Sequence, residues 1–192
     1  MTDPFATLVP SPTAPPRLGP TDVSYVLEDT AVGRMLLAVR DDGRVVATAY
    51  AADDDAVARW LQRISDAVSP RVLRHPGPTD AVRRALEAYL SGRVHDVDVA
   101  VDLVLARPFQ REVLTTLRRS VGYGHRTTYG ALASASGHPG ASRAVGSALG
   151  GNPLCITLPC HRVLPATGGV GGYAGGPEAK RLLLELEATV SR

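Results

Sequence analysis

The chain has 192 residues, of which 44% are hydrophobic and 21% are charged, and this balance is typical of a soluble globular protein with one domain or two small ones. No apolar run approaches the roughly 18 residues of a membrane span, which excludes a membrane protein. The net charge of +2 combines −4 over residues 1–106 (11 basic, 15 acidic) with +6 over residues 107–192 (10 basic, 4 acidic). The basic half favours a polyanionic partner, unless Arg simply replaces Lys in a GC-rich genome.

The first 20 residues contain six prolines and few large apolar side chains, which predicts an extended tail over residues 1–20. The start of the chain has neither a basic segment nor an apolar core, so we expect no secretory signal. The two cysteines, Cys155 and Cys160, straddle Pro159 and are poor partners for a structural disulfide. Together these features favour a reducing, cytoplasmic setting.

Residues 21–106 combine strand and helix patterns. Three short apolar runs at residues 23–27, 34–39 and 44–50, separated by turns that contain glycine, predict an antiparallel meander. Apolar residues at helical spacing predict helices over residues 53–68 and 79–90. Alternation over residues 97–105 predicts a strand that closes the sheet before Pro108.

After Pro108 the pattern becomes helical, with helices predicted over residues 109–121, 128–136, 141–149 and 177–187. The last of these should turn three leucines, Leu182, Leu183 and Leu186, to the core. The second and third helices are joined by a Gly/Pro turn, and the third is rich in small residues. This arrangement suits a helix-turn-helix that approaches nucleic acid closely through Ala141, Ala144, Gly146 and Ala148. Helical hairpins also occur in many other folds, so the helices alone leave DNA binding open.

The most informative stretch is Pro159-Cys160-His161-Arg162-Val163, which places a thiol, an imidazole and a guanidinium side by side. Cysteine becomes a strong nucleophile when a nearby base or positive charge makes it a thiolate. Residues 168–176 follow it with six glycines in nine positions, a composition that lets backbone come very near a ligand. The segment therefore predicts a reactive thiol beside a glycine-rich wall.

An ordered set of motifs now identifies a family resemblance. The chain resembles the O6-alkylguanine-DNA alkyltransferases in a set of motifs that occur in the same order. These motifs are residues 109–110, 128–130, 142–146 and 152–153, the Pro159–Val163 stretch, and residues 171–176. The members of this family are also called methylated-DNA–protein-cysteine methyltransferases, and the match covers residues 107–187. It implies an α+β fold with an N-terminal antiparallel sheet and helices, a ribonuclease H-like roll, at residues 21–106. Residues 107–192 would form a helical domain with a winged-helix-like helix-turn-helix.

The resemblance implies direct repair of O6-alkylguanine, and of O4-alkylthymine, in double-stranded DNA by a monomer without a cofactor. Cys160 would accept the alkyl group as a stable thioether, so that each molecule reacts once. His161 would take the thiol proton through a water and Glu187 would orient it, since Glu187 and not Glu185 matches the family spacing. Asn152 would tie the helix-turn-helix to the cysteine loop.

The resemblance also implies how an extruded base would be held. Tyr129 and the backbone N–H of Ala174 would stabilise the leaving oxygen, and Tyr173 would wall the base. The carbonyls of Cys160 and Val163 would recognise its edge. Arg143 would fill the space left in the duplex, and the helix that carries it would lie in the minor groove through Ser142, Ala144 and Gly146.

Several alternatives remain open at this point. Cys155 is expected to be a buried packing residue, and no cysteine precedes it that could build an N-terminal zinc site. A non-catalytic lesion sensor is disfavoured because the nucleophile is present. A DNA-binding regulator that reads methylation of Cys160 is disfavoured because the chain has no second DNA-binding domain. A metal-binding thiol module is a weaker possibility.

Overall fold

A computed structural model describes residues 21–188, so the tail predicted at residues 1–20 lies outside the described residues. Strands β1 (Val23–Thr30), β2 (Gly33–Arg40) and β3 (Val45–Tyr50) form the predicted antiparallel meander. A fourth strand, β4 (Val72–Arg74), pairs with β1 in parallel and gives the order β3-β2-β1-β4. The predicted antiparallel meander is therefore confirmed, and β4 adds a parallel edge strand that the sequence analysis did not predict. A helix between β3 and β4 carries the chain back, so that β4 runs in the same direction as β1. A strand of three residues is too short to produce a recognisable sequence pattern.

Two predicted helices cover this sheet region, namely α1 (Asp54–Ala67) and α2 (Asp80–Leu90). The first begins where the carboxylate of Asp53 accepts a hydrogen bond of 2.7 Å from the backbone N–H of Ala56. This side-chain cap satisfies a backbone donor that would have no partner within the helix. The second helix buries Val82, Leu86 and Tyr89. Both helices are confirmed.

The strand predicted over residues 97–105 is wrong. The segment touches edge strand β3 in a single parallel bridge between Val45 and Val101, where Val45 N donates to Ala100 O and Asp102 N donates to Val45 O, both at 2.8 Å. The same edge receives one more bridge, between Thr48 and Leu154. The alternating valines thus reflect an irregular segment that covers a sheet edge and so blocks its pairing with another chain.

The C-terminal part contains the four predicted helices, now α3 (Pro108–Ser120), α4 (Tyr129–Ala135), α5 (Ser142–Gly150) and α6 (Gly176–Ala188). Helix α4 begins at Thr128, whose side chain accepts from the N–H of Ala131 at 3.1 Å. Two short parallel strands, β5 (Thr127–Thr128) and β6 (Val163–Leu164), join the start of α4 to the segment after the cysteine. This pairing fixes the helical hairpin relative to the predicted nucleophile.

Two predictions about helix faces need correction. Leu182 is 41% exposed, whereas the buried face of α6 carries Lys180, Leu183, Leu184 and Glu187 at i, i+3, i+4 and i+7. Two polar side chains occupy that face because each finds partners in the interior, so the buried stripe is displaced from the apolar pattern. In α5, Ala148 is buried and its carbonyl accepts from Gln110, so Ala148 does not belong to an exposed small-residue face.

One hydrophobic core joins both halves of the described chain. It includes Val26 and Leu37 from the sheet, Tyr89 from α2, and Leu114 and Leu183 from the C-terminal helices. The predicted α+β class is confirmed. The predicted boundary between two domains at residue 106 stays a prediction, since this core contains residues from both sides of it. Between residues 21 and 188, no helix is long and apolar enough to cross a membrane.

Candidate active site

The loop after α5 brings Cys160 to the surface of the core. Ile156 adopts a φ of 71°, a left-handed conformation that is rare for a β-branched residue, and the chain doubles back so that Leu158 N donates to Leu154 O at 2.7 Å. Cys160 then opens a single 3-10 turn over Cys160–Arg162. Its side chain is only 4% exposed. The predicted nucleophile is therefore recessed rather than displayed.

Asn152 braces this loop from within. Its side-chain Nδ2 donates to Leu158 O at 3.0 Å and to Cys160 Sγ at 3.1 Å, while its Oδ1 accepts from Leu154 N at 2.9 Å. The residue is 1% exposed, so these bonds form away from water. An N–H aimed at sulfur favours the thiolate over the thiol.

The two buried cysteines are both free and have different acidities. A hydrogen bond from Cys155 contributes most to lowering the pKa of Cys160, and the Asn152 amide and the Lys180 ammonium add to it against the opposing effect of burial. The interaction with Cys160, followed by burial, raises the pKa of Cys155, whose Sγ donates to Asn152 O at 3.4 Å. Cys155 packs in the core as expected, but it also contacts the predicted nucleophile, which the sequence analysis missed.

Lys180 is a fully buried cation close to the thiol. Its Nζ donates to Val163 O at 2.7 Å and to Gly172 O at 3.4 Å, so it ties the strand after the cysteine to the glycine-rich segment. Burial lowers the pKa of Lys180. The sequence analysis missed this residue, although its spacing from the leucines of α6 could have indicated a buried position.

A buried cluster of ion pairs and hydrogen bonds surrounds Glu187. Its Oε1 lies 2.8 Å from His161 Nε2, and its two oxygens accept from Arg162 Nε at 3.0 and 3.2 Å. The backbone N–H of Gly124 donates to Oε2 at 3.2 Å. Burial alone would raise the pKa of Glu187, but hydrogen bonds from His161, Arg162 and Tyr89 outweigh it and lower the pKa to about 2. Glu187 is therefore an ionised acceptor, whereas Glu185 is exposed on the other side of α6.

The ionised Glu187 decides which nitrogen of His161 carries the proton. Because the carboxylate only accepts, Nε2 donates to it, and Nδ1 is left as the basic nitrogen. Nδ1 is buried and has no hydrogen-bond partner among residues 21–188. Burial lowers the pKa of His161 and outweighs the attraction of Glu187. The imidazole is thus neutral near pH 7 and able to take a proton at Nδ1.

Cys160 faces a cavity of about 240 Å³. Five of the predicted site residues line it, and the complete lining is Tyr129, Gly146, Leu149, Gly150, Cys160, Gly172, Tyr173 and Ala174. Burial raises the pKa values of Tyr129 and Tyr173, so both phenols stay protonated and act as donors. A larger cleft of about 420 Å³ lies between β1 and α2, but neither cysteine nor histidine lines it, so we assign the chemistry to the smaller cavity.

Seven of the twelve predicted site residues lie outside the cavity lining, namely the buried Asn152, His161 and Glu187 described above and four others. Arg143 and Ala144 are exposed on α5, and Ser142 is half-buried at its first turn. Val163 is fully buried, and its carbonyl already accepts from Lys180. The helix that carries Arg143 nevertheless borders the cavity through Gly146, which packs against the Tyr129 ring.

Two tyrosines of the N-terminal half reach this region, and no sequence motif indicated either. The Tyr50 ring lies over Gly175 so closely that a Cβ at Gly175 would be 2.4 Å from Tyr50 Cζ, and the Tyr50 hydroxyl lies 3.5 Å from the Tyr173 hydroxyl. Tyr89 contacts Glu187. Over residues 21–188, no group of three or more His, Cys, Asp or Glu side chains could hold a metal ion.

The chain is similar in sequence to known proteins of one family. Residues 108–189 match the family model described as the 6-O-methylguanine DNA methyltransferase, DNA binding domain. A methylated-DNA–protein-cysteine methyltransferase of Mycolicibacterium paratuberculosis is 36% identical over 169 residues, which cover 86% of this chain and 92% of the relative. One from Mycobacterium bovis is 45% identical over 112 residues, covering 58% of this chain and 67% of the relative.

Solved structures resemble the whole described fold. The crystal structure of the Mycobacterium tuberculosis O6-methylguanine methyltransferase has a TM-score of 0.73 and 33% identity, with 88% of this chain and 95% of that chain covered. A crystal structure of the Mycobacterium tuberculosis protein OGT in complex with DNA has a TM-score of 0.72 and 32% identity, with coverage of 86% and 93%. The likeness thus extends beyond the segment that the family model matches.

Proposed function

This chain belongs to the family of methylated-DNA–protein-cysteine methyltransferases, and we propose that it repairs O6-alkylguanine in double-stranded DNA by moving the alkyl group to Cys160. The observation that carries this proposal is the position of Cys160 Sγ. This sulfur faces a cavity of about 240 Å³ and accepts a hydrogen bond from Asn152 Nδ2 at 3.1 Å. The next residue in the chain is the neutral His161.

In the proposed reaction, His161 Nδ1 takes the Cys160 proton through a water, and the thiolate attacks the alkyl carbon. A sulfur–carbon bond forms as the carbon–O6 bond breaks, and the electron pair of that bond goes to guanine. The Tyr129 hydroxyl and the Ala174 N–H donate to the oxygen as negative charge develops, and the proton held by His161 balances the charge that leaves with the base. Glu187 orients His161 and stabilises the imidazolium.

The recessed thiol supports extrusion of the damaged nucleotide. Cys160 is 4% exposed, so an alkyl carbon inside the base stack cannot reach it, and the nucleotide must leave the duplex at a cost of about a few kcal/mol. We propose that α5 enters the minor groove with Ser142, Ala144 and Gly146 towards the backbone, while exposed Arg143 fills the space left in the stack. Tyr173 would then pack against the extruded base, and the carbonyls of Cys160 and Val163 would contact the edge of that base.

The product has a direct consequence for turnover. A thioether is not hydrolysed in water at neutral pH, so each protein molecule would accept one alkyl group and would not be regenerated. All residues invoked here come from one chain, which supports action as a monomer. The same step applied to O4-alkylthymine would also break a carbon–oxygen bond and leave the alkyl group on Cys160.

Weighing the protein after reaction tests the proposal. The full chain is incubated with one equivalent of a duplex that contains a single O6-methylguanine, and its intact mass is measured. We expect a gain of one methyl group, mapped by peptide analysis to Cys160 and not to Cys155, and no gain in Cys160→Ala. An unchanged mass together with retained binding to the methylated duplex would instead support the lesion-sensor alternative.

A second experiment tests the role of Arg143. If Arg143 stabilises the extruded state, Arg143→Ala should slow methyl transfer from duplex DNA about tenfold or more, yet react with free O6-methylguanine base at the unchanged rate. Arg59→Ala, which removes an equally exposed arginine from α1, is the charge-matched control. Equal slowing with duplex and free base would contradict the proposed role.

A further inference from the structure

Tyr89 connects the N-terminal half of the chain to the predicted proton-accepting pair. It lies near the end of α2, is 1% exposed, and donates its hydroxyl proton to Glu187 Oε1 at 2.5 Å. The same hydroxyl oxygen is 3.3 Å from His161 Nε2. Tyr89 is therefore in contact with both members of the pair, although its helix is 98 residues before Glu187 in the chain.

The oxygen that Tyr89 contacts is crowded with donors. Glu187 Oε1 accepts from His161 Nε2 at 2.8 Å, from Arg162 Nη2 at 2.9 Å and from Tyr89, whereas Oε2 accepts from Gly124 N and Arg162 Nε. Each additional donor withdraws negative charge from the carboxylate and so weakens the pull of that charge on His161. The strength of the His161 bond thus depends on how many other donors share Oε1.

We propose that Tyr89 is a positioning residue for alkyl transfer: its donated proton holds Glu187 in place and limits the negative charge that His161 receives, which keeps the imidazole neutral and ready to accept the thiol proton. This inference rests on the proposed function of the site. It assigns to α2, an element outside the matched family domain, a direct part in the chemistry of the C-terminal half.

A purely structural tyrosine would explain less of the geometry. Burial, followed by the negative charge of Glu187, raises the pKa of Tyr89, so the phenol stays protonated and remains a donor at neutral pH. The ring also packs edge to face against Tyr123 with centroids 6.0 Å apart, which fixes the direction of the hydroxyl. The other titratable or charged groups that face His161 and Glu187 from neighbouring elements are Tyr123, Cys160, Arg162, Tyr173 and Lys180.

The test removes only the hydroxyl, in Tyr89→Phe. The pKa of His161 is measured by NMR titration of the imidazole in the full-length protein, and the single-turnover rate of methyl transfer is measured between pH 5 and 9. We expect the pKa of His161 and the acid limb of the rate profile to rise together by about half a unit, with transfer near pH 6 slowed about twofold to threefold. Replacement of Tyr89 by 3-fluorotyrosine, a stronger donor of similar size, should shift both in the opposite direction.

The control is Tyr123→Phe, because Tyr123 donates to Leu186 O at 3.3 Å and not to Glu187. If Tyr89 serves only packing, Tyr89→Phe would lower the transfer rate by the same factor at every pH. The pKa of His161 and the midpoint of the acid limb would then stay unchanged, and this result would overturn the inference. If the wild-type protein transfers no methyl group but the His161 shift occurs, the proposed function fails while the effect of Tyr89 on the pair stands. The two failures are therefore distinguishable.

Discussion

Asn152 donates a side-chain N–H to Cys160 Sγ at 3.1 Å, eight residues further along the chain. The same side chain bonds Leu158 and Leu154, so the residue that follows α5 also fixes the loop that carries the thiol. We therefore expect a displacement of α5 to reach the thiol through Asn152. The relationship makes Asn152 both a structural brace and a stabiliser of the thiolate.

Replacing Asn152 by Ala should reduce both stability and reactivity. Leu158 O and Leu154 N would lose buried partners, so we expect the free energy of unfolding to fall by about 2–4 kcal/mol in urea denaturation. Asn152→Asp separates the two roles, because it keeps an acceptor for Leu154 N but turns a negative oxygen towards sulfur. It should raise the pKa of Cys160 and slow methyl transfer about tenfold or more. Transfer at the wild-type rate in Asn152→Asp would contradict the proposed donation to sulfur.

Cys155 should set the acidity of its neighbour. Its hydrogen bond favours the Cys160 thiolate, so Cys155→Ala should move the half-maximal pH of iodoacetamide alkylation at Cys160 upward, and Cys155→Ser, which keeps a donor, should move it less. Mass spectrometry of the Cys160 peptide measures this reaction at each pH. Identical profiles for the wild type and Cys155→Ala would show that the second thiol only packs.

Glu187 should make stability depend on acid pH. Its folded pKa of about 2 lies below the ordinary glutamate value, so its stabilising contribution is complete above about pH 5 and is lost as pH falls towards 2. Glu187→Gln leaves the Arg162 guanidinium buried without its carboxylate and should cost about 3–5 kcal/mol at pH 7. The difference from wild type should shrink as the pH approaches 2. Urea unfolding across this range measures it, with exposed Glu185→Gln as the control that should behave as wild type.

Tyr50 and Gly175 should be coupled in stability. A Cβ at Gly175 would lie 2.4 Å from Tyr50 Cζ, so Gly175→Ala should displace the ring and destabilise the fold by about 1–3 kcal/mol. Gly172→Ala, in the same segment with nothing within 4 Å of its Cβ, is the matched control for thermal denaturation. In a Tyr50→Ala background, Gly175→Ala should have little further effect. Additive losses in the double variant would exclude this contact as the cause.

The reactive segment and most of the secondary structure could be predicted from the sequence, because they depend on local patterns. Helical spacing, capping residues and turns that contain glycine are properties of neighbouring residues, and they located the meander and the six α-helices of residues 21–188. The ordered motifs around Cys160 indicated the family, and the aligned relatives support it. The strand expected at residues 97–105 failed because alternation reports which side chains are buried and does not require a hydrogen-bonded partner strand.

The sequence by itself determined that a cysteine, the predicted nucleophile, lies beside a histidine and a glycine-rich segment after a helical hairpin. Only the tertiary structure decided what surrounds that cysteine. The contacts of Tyr50, Tyr89 and Lys180 with the site depend on how distant segments pack, and no local pattern encodes a distance across a core. Burial likewise turned Lys180 and Glu187 inward, because a polar group is stable in the interior once its partners have been brought to it.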